Sequence, residues 1–82
     1  MTKPKDPDIA QTVKIIYSKG EDVLHFSSKA NADAAVSAML EDVTGSLSNA
    51  IISVEDDNGK RINFKAGNFV RTISIATGDE WL

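Results

Sequence analysis

Residues 50–65 read AIISVEDDNGKRINFK, two β-rich runs on either side of a short polar turn. Asp57-Asn58-Gly59 suits a three-residue hairpin loop with its glycine in the left-handed conformation. That loop sets Asp56 against Lys60, Val54 against Ile62 and Ile52 against Phe64, so apolar meets apolar along one face. Glu55 then falls opposite Arg61 on the other face. A two-residue Asn58-Gly59 turn sets Val54 against Asn63 instead and breaks the match. A slip of one residue turns every side chain to the wrong face, so agreement between turn and pattern selects the register.

Upstream, Thr12–Ser18 (TVKIIYS) and Asp22–Ser27 (DVLHFS) are rich in the β-branched and aromatic residues that strands favour. Taking Gly20-Glu21 as a two-residue turn, glycine first, predicts Tyr17 opposite Leu24 and Ile15 opposite Phe26. Val13, Ile15, Tyr17, Leu24 and Phe26 then share a face. Between the two hairpins, Ala32, Ala35, Val36, Met39, Leu40 and Val43 recur at helical spacing. Ser28 is the expected N-cap, with Asn31 a competing choice, and Gly45 is placed to close the helix in a left-handed C-cap.

Downstream, Ala66-Gly67-Asn68 reads as a turn and Phe69–Ala76 (FVRTISIA) as a last strand. Its register is open: a three-residue turn pairs Phe64 with Val70, a two-residue turn pairs Ile62 with Ile73, and a bulge reconciles them. The expected fold is therefore a single α+β domain in the order β-β-α-β-β-β. It is a hairpin, a helix and a three-stranded meander, making a mainly antiparallel sheet of about five strands with one helix packed on one face. Residues 1–10, which hold both prolines among alternating charges, are expected to be a flexible tail. The domain is expected to span 11–77, and 78–82 to form a short C-terminal tail carrying Trp81.

A folding unit of this size draws only a few kcal/mol from one core, and extra stability usually comes from disulfides, metals or association. The chain of 82 residues has no cysteine, which leaves out disulfides and thiolate metal sites. No run approaches the roughly 20 apolar residues of a membrane span, and nothing near the start resembles a signal peptide. A soluble, cytoplasmic protein is expected. The formal charge of -3, from 9 basic and 12 acidic residues, argues against a general nucleic-acid binder.

The chemistry-bearing residues are sparse. His25 is the only histidine, which rules out a two-histidine metal site within one chain. Ser27, two residues on along the same strand, lies about 7 Å away, too far for a nucleophile–base hydrogen bond. The acidic run Glu55-Asp56-Asp57-Asn58-Gly59 fails as a calcium loop, because Val54 and Lys65 fall where the anchoring ligands belong. It reads as turn chemistry, with Lys60 pairing Asp56 across the hairpin. No enzyme activity, cofactor, metal or small-molecule substrate is expected.

The more informative residues face away from the helix. Ile16, Val23 and Ile51 belong there, joined by Ile73 and Ile75 if the last turn has three residues, and apolar side chains on an uncovered sheet face call for a partner. The expected function is a non-enzymatic interaction module that dimerises or binds another protein through Ile16, Val23, His25, Ile51 and Trp81. The alternative is a nucleic-acid- or phosphate-binding sheet using Arg61, Asn63, Lys65 and Arg71.

Overall fold

Ser18-Lys19 is the tip of the first hairpin, not Gly20-Glu21. In the computed structural model, which describes residues 9–76, β1 (Gln11–Tyr17) pairs antiparallel with β2 (Gly20–Phe26). Tyr17 lies opposite Gly20, Ile15 opposite Asp22 and Val13 opposite Leu24. The expected pairing of Tyr17 with Leu24 is thus overturned. Gly20 does have a positive φ of 120°, but as the residue that closes the turn rather than the one that opens it. The displacement along the partner strand is an even number of residues, so the faces survive it. Val13, Ile15, Leu24 and Phe26 are all buried on one side, and Tyr17 is half-buried beside them.

Helix α1 (Lys29–Gly45) begins where expected: the Ser28 side chain accepts the Asn31 N–H at 3.1 Å. Its far end differs. Gly45 is the last helical residue, without positive φ, and Ser46 follows as the cap with its N–H on the Val43 carbonyl at 3.4 Å. Ala32 and Met39 are buried, with Ala35, Val36 and Val43 packed at the core's margin; Leu40 sits at the edge of the stripe and is exposed. Lys29 and Asp33 make an exposed ion pair one turn apart.

The second hairpin matches its reading. β3 (Ile51–Glu55) pairs with β4 (Arg61–Lys65) with Ile52 opposite Phe64, Val54 opposite Ile62 and Glu55 opposite Arg61. Gly59 supplies the left-handed φ of 84°. Ile52, Ile62 and Phe64 point into the same core as β1 and β2.

β5 (Phe69–Ala76) does not continue the meander, so neither expected register with β4 exists. A 3-10 turn, Ala66–Asn68, carries the chain past the tip of the first hairpin, where the Ser18 N–H bonds the Asn68 carbonyl at 2.9 Å. β5 then pairs antiparallel with β1, with a bulge that leaves Val70 unpaired between Arg71 opposite Ile16 and Phe69 opposite Tyr17. The crossing is tight. A Cβ on Gly67 would lie 2.8 Å from the Ser48 Cβ, and the Gly67 N–H bonds the Ser48 carbonyl at 2.8 Å. The five strands of the described residues thus form two antiparallel sheets, β2-β1-β5 and β3-β4, sharing one core with the helix. Phe64 joins them, with its ring 5.2 Å from that of Tyr17 and 6.1 Å from that of Phe69.

Candidate interaction surface

The side of β2-β1-β5 turned away from the core is built of three rows set by the strand registers. Glu21, Ile16 and Arg71 form one; Val23, Lys14 and Ile73 the next; His25, Thr12 and Ile75 the last. Strand alternation puts these on the outer face because Val13, Ile15 and Leu24, one residue out of phase, fill the core. Ile16 and Val23 are half-buried by their neighbours, while Ile73 and Ile75 keep 36% and 45% of their surface exposed. No described element lies over them. Val70, at the bulge, is 55% exposed.

The structure brings Ile16, Val23 and His25 together on this face. Ile51 is elsewhere: it is exposed on β3, opposite Lys65, in the other sheet. Trp81 lies outside the described residues. The basic residues are divided in the same way. Arg61, Asn63 and Lys65 share the exposed side of β4, whereas Arg71 stands on β5. Arg61 is held by Glu55 at 3.1 Å and Asn63 by the Ser53 hydroxyl at 2.5 Å.

The acidic turn does more than close a hairpin. Asp56, 7% exposed, accepts the backbone N–H groups of Asn58 and Lys60 at 2.9 Å each and, across the molecule, that of His25 at 3.0 Å. Burial alone would raise its pKa, but the three donors and the nearby His25 outweigh it and hold the carboxyl below the ordinary carboxylate range. Asp57 accepts the Ser27 N–H and the Ser27 hydroxyl, both at 2.7 Å, and the Asn31 amide at 3.2 Å. Those bonds, the Ser27 N–H foremost, lower its pKa too. Lys60 does not pair with the Asp56 carboxylate through its ammonium, as expected, but donates to the Val23 carbonyl at 2.8 Å. Val23, His25 and Ser27 are the alternate positions of the β2 edge and its extension. Each has a backbone group satisfied by a side chain of the β3–β4 turn.

The His25 Nδ1 lies 3.3 Å from the Thr12 hydroxyl on the exposed face, and the Ser27 hydroxyl is bound to Asp57. A cleft of ≈ 390 Å³ opens between the β1–β2 tip and β4, lined by Tyr17, Ser18, Lys19, Asn63, Phe64 and Asn68. Burial and the bond from its hydroxyl to Asp22 at 2.7 Å push the Tyr17 phenol well above its usual value, keeping it protonated. Among the described residues no group of three or more His, Asp or Glu is placed to hold a metal ion, and no helix is long and apolar enough to cross a membrane. Comparisons with protein-family models, curated proteins and solved structures find no match to this chain.

Sequence reasoning placed Ile16 and Val23 on the outer face but missed Glu21 and Arg71 as the charged flanks of that face. The strand order that sets them across Ile16 carries no local signal. It also missed the clamp on β2, whose bonds span 30 residues between Ser27 and Asp57.

Proposed function

We propose that this chain is a non-enzymatic interaction module that forms a homodimer through the outer face of β2-β1-β5. The observation that carries it is the cluster of Ile16, Val23, Ile73 and Ile75 on a face no described element covers. A second copy is favoured over an unrelated surface by charge. Glu21 and Arg71 flank Ile16 on opposite strands. A copy turned about a two-fold axis running along the strands, its sheet about 10 Å away, lays each Glu21 over the other's Arg71. The same operation lays Val23 over Ile73 and Ile16 over Ile16. It also lays Lys14 over Lys14, the pair least suited to this contact, so each four-carbon stem must carry its ammonium to the rim. The small core gives association a stabilising role, since a partner that binds only the folded chain adds to its stability. The cysteine-free composition supports a cytoplasmic setting.

The nucleic-acid reading has less support, because Arg61 is neutralised by Glu55 and Arg71 lies on the other sheet.

Sedimentation equilibrium on the wild type, Ile16→Lys and the charge reversals tests the dimer. Ile16→Lys is expected to abolish the face contact. Glu21→Arg or Arg71→Glu alone should weaken it about tenfold or more, and the two together should restore it. Loss of association in the double reversal equal to that in the single ones would defeat the proposed pairing, and a wild type that stays monomeric at high micromolar concentration would end the proposal.

A further inference from the structure

The two outer edges of β2-β1-β5 are not treated alike. β2's is occupied by Asp56, Asp57 and Lys60. β5's has no described strand paired to it, and FVRTISIA carries one charge, Arg71, and no lysine or proline. Natural sheets blunt exposed edges with charge, proline, short strands or a cover. Among the described residues the devices here are the single charge of Arg71 and the bulge at Val70, and the strand beyond the bulge is regular from Arg71 to Ala76.

The side to which each backbone group points follows from the clamp. In an antiparallel ladder a residue directs its N–H and C=O to the same side, and the side alternates along the strand. Val23 and His25 point away from β1, since the Val23 carbonyl meets Lys60 and the His25 N–H meets Asp56. Their opposites on β1, Lys14 and Thr12, therefore point towards β5, where they meet Ile73 and Ile75. Thr72 and Ser74, out of phase with those two, direct their N–H and C=O groups outward.

We propose that this open edge pairs with the β5 edge of a second copy, antiparallel and centred on Ile73. Outward groups must meet outward groups, so Thr72 pairs with Ser74 of the second copy and Ser74 with its Thr72. Ile73 then meets Ile73 in a non-hydrogen-bonded pair, the closer of the two spacings, and Arg71 faces Ile75 rather than another charge. Centring on Thr72 would set the Val70 bulge against Ser74. Centring on Ser74 would shorten the ladder to residues 72–76. The strand is thus self-complementary about one position, which is what a two-fold contact between identical chains requires. This contact uses backbone groups at the sheet's edge, the face contact uses side chains on its flat, and neither needs the other.

Because the contacts are separate, a chain using both assembles beyond a dimer. Sedimentation velocity across a concentration series is run on the wild type, Ser74→Pro, Ser74→Ala, Ile16→Lys and the Ile16→Lys/Ser74→Pro double variant. Proline at 74 removes an outward donor that β1 does not use, a place where edge strands accept proline. The wild type is expected to exceed a dimer, Ser74→Pro and Ile16→Lys each to stop at a dimer, the double variant to be monomeric and Ser74→Ala to match the wild type. A wild-type dimer indifferent to Ser74→Pro and lost in Ile16→Lys overturns the edge contact and leaves the face contact standing. A wild-type dimer with the opposite response overturns the face contact and keeps the edge. A monomeric wild type overturns both. Should circular dichroism show Ser74→Pro unfolded, amide exchange of the wild type decides. Protection of Thr72 and Ser74 that rises with protein concentration, with Ile73 and Ile75 protected throughout, supports edge pairing; protection of Thr72 and Ser74 independent of concentration overturns it.

Discussion

β2 and β5 flank the same central strand, yet one edge is sealed and the other is not. On β2 the seal is made of side chains: a carboxylate for the His25 amide, another for Ser27, and an ammonium for the Val23 carbonyl. A paired strand would supply the same hydrogen bonds, at the cost of placing a sixth strand there. The acidic turn delivers them from two residues and one lysine, and also ties the β3–β4 hairpin to a sheet with which it shares no ladder. Edge protection and sheet-to-sheet attachment are thus one device in this fold. β5 has no counterpart among the described residues, which makes the contrast between the edges open to experiment from either side.

The largest expected effect comes from breaking the seal at its centre. Asp56→Ala leaves the amides of His25, Asn58 and Lys60 without their shared acceptor. Hydrogen bonds to a charged acceptor are worth about 2–3 kcal/mol in such a setting. The melting temperature of so small a domain should fall by roughly 10–20 °C. Thermal unfolding followed by circular dichroism checks this, and a fall of only a degree or two would mean that water replaces the carboxylate. A freed β2 edge should also bring concentration-dependent aggregation that Asp57→Ala, which leaves the Asp56 clamp in place, does not match.

Acid should loosen the same seal without mutation. Asp56 and Asp57 both titrate below the ordinary carboxylate range in the folded chain. A depressed folded pKa adds stability above the unfolded value of about 3.9, and that stability is lost as pH falls through the folded pKa. Urea midpoints should therefore hold from neutrality to about pH 5 and then decline as the pH drops further. In Asp56→Asn the decline should be shallower, although its starting stability is lower. A wild-type midpoint unchanged down to pH 2 would contradict the clamp.

How much of this was legible in the sequence depended on whether the deciding signal was local. The β3–β4 register followed from Asp57-Asn58-Gly59 and the alternation of Ile52, Val54, Ile62 and Phe64, all within one hairpin. The burial pattern of β1 and β2 was legible too. Their register was not, because a glycine serves either inside a turn or at its end, and pairing by hydrophobicity tolerates an even slip. The partner of β5 could not be read locally: Gly67 enables a crossing whose need lies in Ser48, nineteen positions earlier in the chain. The outer face was legible as far as Ile16 and Val23. Its completion by Ile73, Ile75 and Arg71 waited on that crossing, and Ile51 was assigned to it only because one continuous sheet was expected.

A smaller effect should follow from the third contact of the seal. Lys60→Met keeps most of the stem and removes the ammonium from the Val23 carbonyl. The bond is exposed, so water competes for the carbonyl, and the expected loss is about 1 kcal/mol. Measured in the Asp56→Ala background, the loss should shrink, because both groups hold the same turn against the same strand and residues in one network couple. Full additivity in that double-mutant cycle would show that the turn docks in independent pieces rather than as a unit.

The smallest effect should come from a pair that resembles the clamp in chemistry but not in position. Arg61 and Glu55 approach to 3.1 Å across β3 and β4, with side chains 64% and 48% exposed. Exposed ion pairs contribute at most about 1 kcal/mol and often far less, and this one joins strands that already share a ladder. Arg61→Ala should therefore shift stability by under about 0.5 kcal/mol, within reach of paired urea titrations at low and high salt. A loss as large as that of Lys60→Met would show that charge pairing anywhere on the second hairpin stabilises the fold. A negligible one would show that the acidic turn matters because its side chains reach backbone groups that no strand supplies.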